Sequence, residues 1–338
     1  MRRTELDLCR ITGCLMVLII HASADIYHQL PLESLDFTLI NFIASSVRSG
    51  VPIFFMLTGA LMLGREKLDT KNLLKNHALY LAGIFLLWSL IYLVLKAILA
   101  GDFPDAYGFV YSLVSGHYHM WFIPAMIVCY LFTPPAHAAI HGQKLDARYL
   151  LGMFFGLVLL TSNMNLTPDT SPLLYKITTH FSFDYLGYMG YVVWGWWLST
   201  RKMPKQTIWA APLVFLLCCI VTSAANQWYS ISKETADGWL FSYFSLPNFI
   251  EATAVFCFFL SLKDRHFRKP EIIRTLSDCT LGVYLIHPMM INLLEKLGIV
   301  ITPKAPVSGL LALFAVLAVS CFALVAVAKR IPFVKKLL

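Results

Sequence analysis

The sequence predicts an all-α fold: a polytopic membrane bundle of about ten transmembrane helices with both termini cytoplasmic. Three observations predict it. Of 338 residues, 58% are hydrophobic and only 14% are charged, whereas a soluble domain carries about 25% charged residues. The mean hydropathy is +0.67, and the apolar residues come in runs long enough to cross a bilayer. The lysines and arginines fall in alternate loops, as helix orientation in a membrane requires. Length alone would allow two soluble domains. The spans run end to end, however, so one membrane domain over residues 1–338 with no soluble appendage is expected.

The first span covers roughly 8–26. Arg2 and Arg3 ahead of it, and Ala22-Ser23-Ala24 at its end, resemble a cleavable signal. Asp7 and Arg10 interrupt the start of the stretch, so a retained span is expected. The second, 37–63, holds Gly50, Pro52 and Gly59, which favour a kinked or closely packed helix. The third is 78–99. The fourth and fifth, 118–134 and 149–164, are short for a hydrocarbon core of about 30 Å, which suits a broken or tilted helix. Then come 181–200, 207–224, 241–262, 277–297 and 307–328. Within the ninth, Pro288 is expected to break the ladder.

Placing the N-terminus inside puts 21 of the 27 lysines and arginines in inner segments. The net charge of +8 therefore reports topology, and a nucleic-acid partner is excluded. The loop Lys263–Arg274 is the most basic. It reads as a topology signal or as a landing surface for a polyanionic cytosolic donor. The eight cysteines fall in spans or at their inner ends, and no Cys-x-x-Cys pair occurs. Neither a disulfide framework nor a metal site is expected.

Arg10 and His21 carry the chemistry. Eleven residues make close to three helical turns, so both lie on nearly one face, roughly 16 Å apart along the axis. Ionisable groups in a membrane helix usually face the bundle interior or a wet cavity, and His is the usual general base near neutral pH. A hydrogen-bonded structural histidine is the alternative. Asp7 lies three residues before Arg10 and is placed to pair with it. Asp25, four residues after His21, either orients the imidazole or ends the helix in solvent. Arg48 stays charged at any depth; it needs a bound anion, or a partner such as Glu251 in the eighth span. His117-Tyr118-His119-Met120-Trp121-Phe122 opens the fourth span. Its two histidines, two apart, do not share a helical face. Its aromatics suit an interfacial belt or a sugar floor. Leu281-Gly282-Val283-Tyr284-Leu285-Ile286-His287-Pro288 sets His287 beside the proline, where it can satisfy the freed backbone. No phosphate-cradling Gly-rich loop, Gly-x-Ser-x-Gly elbow or His-Glu-x-x-His occurs.

Together these segments resemble membrane acyltransferase family three, the integral-membrane O-acyltransferases of bacterial surface glycans. Arg10 and His21 match that family's basic residue, ten-residue gap and histidine. Arg48 with Phe54-Phe55-Met56-Leu57-Thr58-Gly59 matches its Arg and Phe-Phe-x-x-Ser-Gly run, with Thr58 replacing Ser. His119-Met120-Trp121-Phe122 is similar to its Leu-Trp-Phe signature, and Leu281 to Pro288 to its Gly-x-Tyr-x-x-His-Pro stretch. The resemblance runs from residue 5 to about 295, and in length and motif wording it is strongest to the subgroup containing the enterobacterial common antigen O-acetyltransferase. It implies a multi-pass protein of the bacterial inner membrane with no bound cofactor. The donor would be acetyl-CoA from the cytosol, and the acceptor a hydroxyl of a glycan or lipid-linked sugar. His21 would be the general base, acting directly or through an acyl-histidine. Arg10 and Arg48 would hold the anionic parts of CoA or polarise the thioester. Asp7, Asp25, Thr58, His119, Trp121, Glu251, Tyr284 and His287 complete the candidate substrate-binding set. A transporter or exporter using the same buried charges as a substrate or proton path is the rival class. A structural scaffold leaves Arg10, His21 and Arg48 unexplained.

Overall fold

A computed structural model describes residues 2–142, 151 and 184–337. The fifth expected span, the first residues of the sixth, and Lys144, Arg148 and Lys176 lie outside the described residues. Every regular element within them is helical. Among the described residues six helical stretches, Leu35–Met62 counted as one, are long and apolar enough to cross a membrane, as expected of a multi-pass chain.

Helix α1 is Thr4–Tyr27. The second expected span divides into α2, Leu35–Ser46, and α3, Gly50–Met62. The division follows from Pro52. In a continuous helix its missing N–H would have served the Arg48 carbonyl, so the chain turns at Val47–Ser49 and restarts with Pro52 in the first turn. Helix α4, Thr70–Ala100, begins earlier than expected, because Asp69 caps Asn72 N–H and a π turn at Leu74–Ala78 extends the helix inward. Gly101 ends it at φ 70°.

Helix α5, Ala106–Ser115, was not anticipated. Asp105 caps it, and it buries no residue. Helix α6, Tyr118–His141, opens with a 3-10 turn, Tyr118–Trp121. It runs through Pro134 and Pro135 past the expected end at 134. Beyond the prolines, His137 and His141 are tied by Nε2 to the Arg65 and Leu63 carbonyls after α3. Then come α7, Asp184–Ser199, and α8, Thr207–Ser232. A 3-10 turn at Trp239–Phe241 leads into α9, Leu246–Leu260. Helix α10, Pro270–Lys296, and α11, Pro306–Ala328, complete the order. Pro288 breaks the ladder by freeing the Tyr284 carbonyl, which His287 Nδ1 takes up, but α10 runs on through it.

Helix α1 is central, packed on α2, α3, α9, α10 and α11. Small residues permit the tightest crossings, as in membrane bundles generally. A Cβ on Gly59 would stand 1.7 Å from the Val192 carbonyl oxygen, and one on Gly195 2.2 Å from that of Met56, so α3 and α7 meet backbone to backbone. Gly13 and Gly50 serve the α1–α3 crossing in the same way. The glycines thus hold α3 against α1, which is the pairing that encloses the site.

Candidate active site

A cavity of about 400 Å³ lies between α1, α3, α6 and α10. Arg10, His21, Thr58, His119, Trp121 and Tyr284 are on its wall. The α1 face predicted from the eleven-residue spacing is therefore the face that lines it. Arg10, Met62 and Ser277 mark one end, and His21, His119 and Trp121 the other. Between them the wall is mainly apolar, with Val17, Leu18, Leu57, Phe122 and Met126.

The Arg10 end continues into a second cavity of about 440 Å³, which shares Arg10 and Leu61 and adds Arg2, Arg3, Asp7 and Arg65. Its charges are bracketed. Arg2 donates from Nε and Nη2 to Asp7 at 2.7 and 2.8 Å, and from Nη2 to Asp278 at 2.7 Å. Hydrogen bonds accepted by Asp7 and then by Asp278 hold the Arg2 guanidinium charged, well above its ordinary range. Arg10 stands 3.6 Å from Asp7, the pairing its i, i+3 spacing predicted, and donates to Ser277 Oγ at 3.2 Å. Ser277 donates to Asp7 at 2.6 Å. Arg3 pairs with Glu5 at 2.7 Å. Asp7 thus aligns two guanidiniums at one mouth.

The other end is a cluster of imidazoles. The His21 ring centroid is 4.8 Å from that of His287, 6.4 Å from His119 and 5.6 Å from Tyr118. Among the described residues His21 has no hydrogen-bond partner for its ring, unlike a structural histidine. The His117 and His119 Nδ1 atoms are 2.8 Å apart. The i, i+2 argument against this pair fails because it assumes an α-helix. His117 is extended, at φ −76° and ψ 150°, and a 3-10 turn follows. Tyr284 donates its hydroxyl to the His119 carbonyl at 2.5 Å, which ties α10 to α6. His287 is fully buried just behind the wall, with Nδ1 2.7 Å from the Tyr284 carbonyl. It satisfies the backbone that Pro288 frees.

Three expected residues lie elsewhere. Asp25 is exposed and bonds no described imidazole; it lies on the outer side of the last turn of α1, whose Ser23, Ile26 and Tyr27 are buried. Arg48 does not pair with Glu251. Its guanidinium lies 4.0 Å over the Phe241 ring, so an aromatic face compensates the cation, and its buried Nε has no hydrogen-bond partner among the described residues. Glu251 is buried against α8, accepting from Thr222 at 3.0 Å. Neither Arg48 nor Glu251 is on the cavity wall. Tyr243 is on the wall, and its ring stacks on Trp121 at 5.5 Å. Thr58 donates back to the Phe54 carbonyl at 3.0 Å, so its side chain is spoken for within α3.

Sequence reasoning missed Ser277, Tyr243 and His117. Ser277 had a signal, since it shares a helical face with Leu281 and Tyr284 at i, i+4 and i+7. Tyr243 sits in a non-helical connection where periodicity says nothing. The basic residues of Lys263–Arg274 line neither cavity. Among the described residues no three His, Cys, Asp or Glu side chains are placed to hold a metal ion.

Comparison with known proteins adds two findings. The sequence model of a family described as "Acyltransferase domain" matches residues 3–327. A protein named amino-acid racemase, from Enterococcus faecalis, is 24% identical over 327 residues, covering 88% of this chain and 42% of that protein. The chain therefore spans well under half of that relative's length. No solved structure matches.

Proposed function

The chain belongs to acyltransferase family three, and on that premise we propose that it is an O-acetyltransferase of the bacterial inner membrane, drawing on cytosolic acetyl-CoA and acetylating a hydroxyl of a cell-surface glycan or lipid-linked sugar. The observation that carries the proposal is one cavity with a held guanidinium, Arg10, at one end and at the other His21, whose ring makes no hydrogen bond among the described residues. The roughly 16 Å between them along α1 suits an extended pantetheine arm. The guanidiniums of Arg2, Arg3, Arg10 and Arg65 suit the phosphates of CoA. The apolar wall between suits the arm itself.

In this scheme His21 takes the proton of the acceptor hydroxyl as its oxygen attacks the thioester carbonyl. The new C–O bond forms, the C–S bond breaks, and His21 returns the proton to the departing thiolate. Nothing else is consumed. Arg48 contributes its charge from behind the wall, held over the Phe241 ring. The positive-inside pattern supports about ten spans, with both termini and the Arg2–Arg10 mouth on the cytosolic side.

The turn between α2 and α3 at Arg48 favours one second reading, an exporter with a broken helix lining its path. One experiment separates the two. Purified protein in nanodiscs receives radiolabelled acetyl-CoA and a crude bacterial glycolipid extract. Transfer of label to the lipid fraction, with equal release of CoA thiol, is the expected result. Intact thioester together with substrate movement across proteoliposomes would replace the enzyme with a transporter.

A further inference from the structure

Pro288 lies inside α10 without ending it. The residue at this position would normally donate its N–H to the carbonyl of Tyr284, and proline has none to give. The carbonyl accepts instead from His287 Nδ1, at 2.7 Å. A carbonyl only accepts, so Nδ1 carries the proton and the neutral ring leaves Nε2 bare. That Nε2 is buried and has no hydrogen-bond partner, a costly state unless something occupies it. The backbone around it is braced, because Tyr92 donates to the Leu285 carbonyl at 2.8 Å and Tyr284 to the His119 carbonyl at 2.5 Å.

The nearest ring is His21, 4.8 Å away by centroid and tilted by 42°. His119 and Tyr284 also face His287, at 5.1 and 6.0 Å, and Tyr118 and the Arg48 charge face His21. Of the other imidazoles, His119 pairs Nδ1 with His117 and keeps an unpartnered Nε2, but its ring lies farther from His287 than that of His21 does. His21 has a nitrogen to offer, and as a base it needs one particular nitrogen free of its proton.

We infer that His287 is a positioning residue for His21: held in one tautomer by the carbonyl that Pro288 frees, it accepts the His21 N–H on Nε2 and so turns the other, unprotonated His21 nitrogen into the cavity. The inference rests on the proposed acyl transfer. The acceptor proton arrives on that outward nitrogen and leaves to the thiolate, and His287 ends the cycle unchanged. The sequence Tyr-x-x-His-Pro is then one device, in which proline exposes a carbonyl, the carbonyl sets a tautomer, and the tautomer sets the base.

Three variants and one spectrum test it. His287→Leu removes the acceptor, His287→Gln keeps an oxygen near the Nε2 position, and Pro288→Ala restores an N–H that competes for the Tyr284 carbonyl. Acetyl transfer is expected to lose about 100-fold in kcat in His287→Leu, with both KM values little changed. His287→Gln should recover to within about tenfold of wild type, and Pro288→Ala should fall between them. Nitrogen NMR of isotopically labelled histidine should show His287 as the Nδ1–H form in wild type and mixed in Pro288→Ala, with the His21 tautomer released in His287→Leu. Equal losses in the Leu and Gln variants, or a His21 tautomer indifferent to residue 287, would overturn the inference. The spectrum needs no turnover. A wild type without acetyl transfer would therefore sink the proposed function, while the tautomers still decide the positioning claim.

Discussion

The two ends of the cavity solve opposite problems. At the Arg10 end most of the guanidiniums are bracketed by carboxylates. Arg2 is shared between Asp7 and Asp278, and Arg10 is held by Asp7 and Ser277. At the His21 end four imidazoles gather without a carboxylate among their ring contacts, and two buried ring nitrogens, on His119 and His287, have no partner. Fixed charges suit a site that holds an anion in one place. Rings with open nitrogens suit a site where a proton must move. The lesson is that α1 carries both at once, because its period sets Arg10 and His21 on one face three turns apart.

That contrast can be broken at its charged end. Arg10→Ala removes a charge-assisted contact worth about 1.5–3 kcal/mol, or roughly 10- to 100-fold. The loss should appear in the KM for acetyl-CoA, with kcat changed little, and steady-state kinetics read the split directly. An Arg10→Ala effect confined to kcat would move the donor elsewhere. Raising ionic strength should raise the same KM, since the mouth is partly open and screened by salt.

A smaller effect tests the bracket itself. Asp7→Ala strands Arg2, Arg10 and Ser277 together. Breaking a buried pair costs about 3–5 kcal/mol, but Arg2 is 37% exposed, so a loss of about 2 kcal/mol is expected. Thermal unfolding in nanodiscs measures it, and an unchanged midpoint would reduce Asp7 to a surface anchor. The smallest effect belongs to Asp25→Asn. The side chain is exposed and meets no imidazole, so turnover and its pH profile should stay within about twofold of wild type. A shifted profile would restore Asp25 as a partner of His21.

What was legible in the sequence was whatever a helix period transmits. The Arg10–His21 face, the Asp7–Arg10 pair and the all-helical bundle all follow from spacing. Asp25 shows the limit of the same rule: i, i+4 puts it near the right face, but in the last turn of α1 its side is exposed while Ile26 and Tyr27 turn inward. The Arg48–Glu251 pairing failed for a different reason. Burial demands compensation for a cation without saying which kind, and Phe241 supplies it from a connection with no periodicity. His117 met His119 because the chain is extended and then 3-10 there. At Pro52 and Pro288 the sequence marks lost N–H groups equally well. Packing decides that the first separates two helices and the second stays within one.

The most direct measurement is single-turnover acetyl transfer by His21→Ala in nanodiscs, alongside direct binding of acetyl-CoA to the same variant. Transfer lost by about 100-fold or more, with donor binding retained, is the predicted result. Transfer that survives in His21→Ala would remove His21 from the chemistry and leave the imidazole cluster a structural feature.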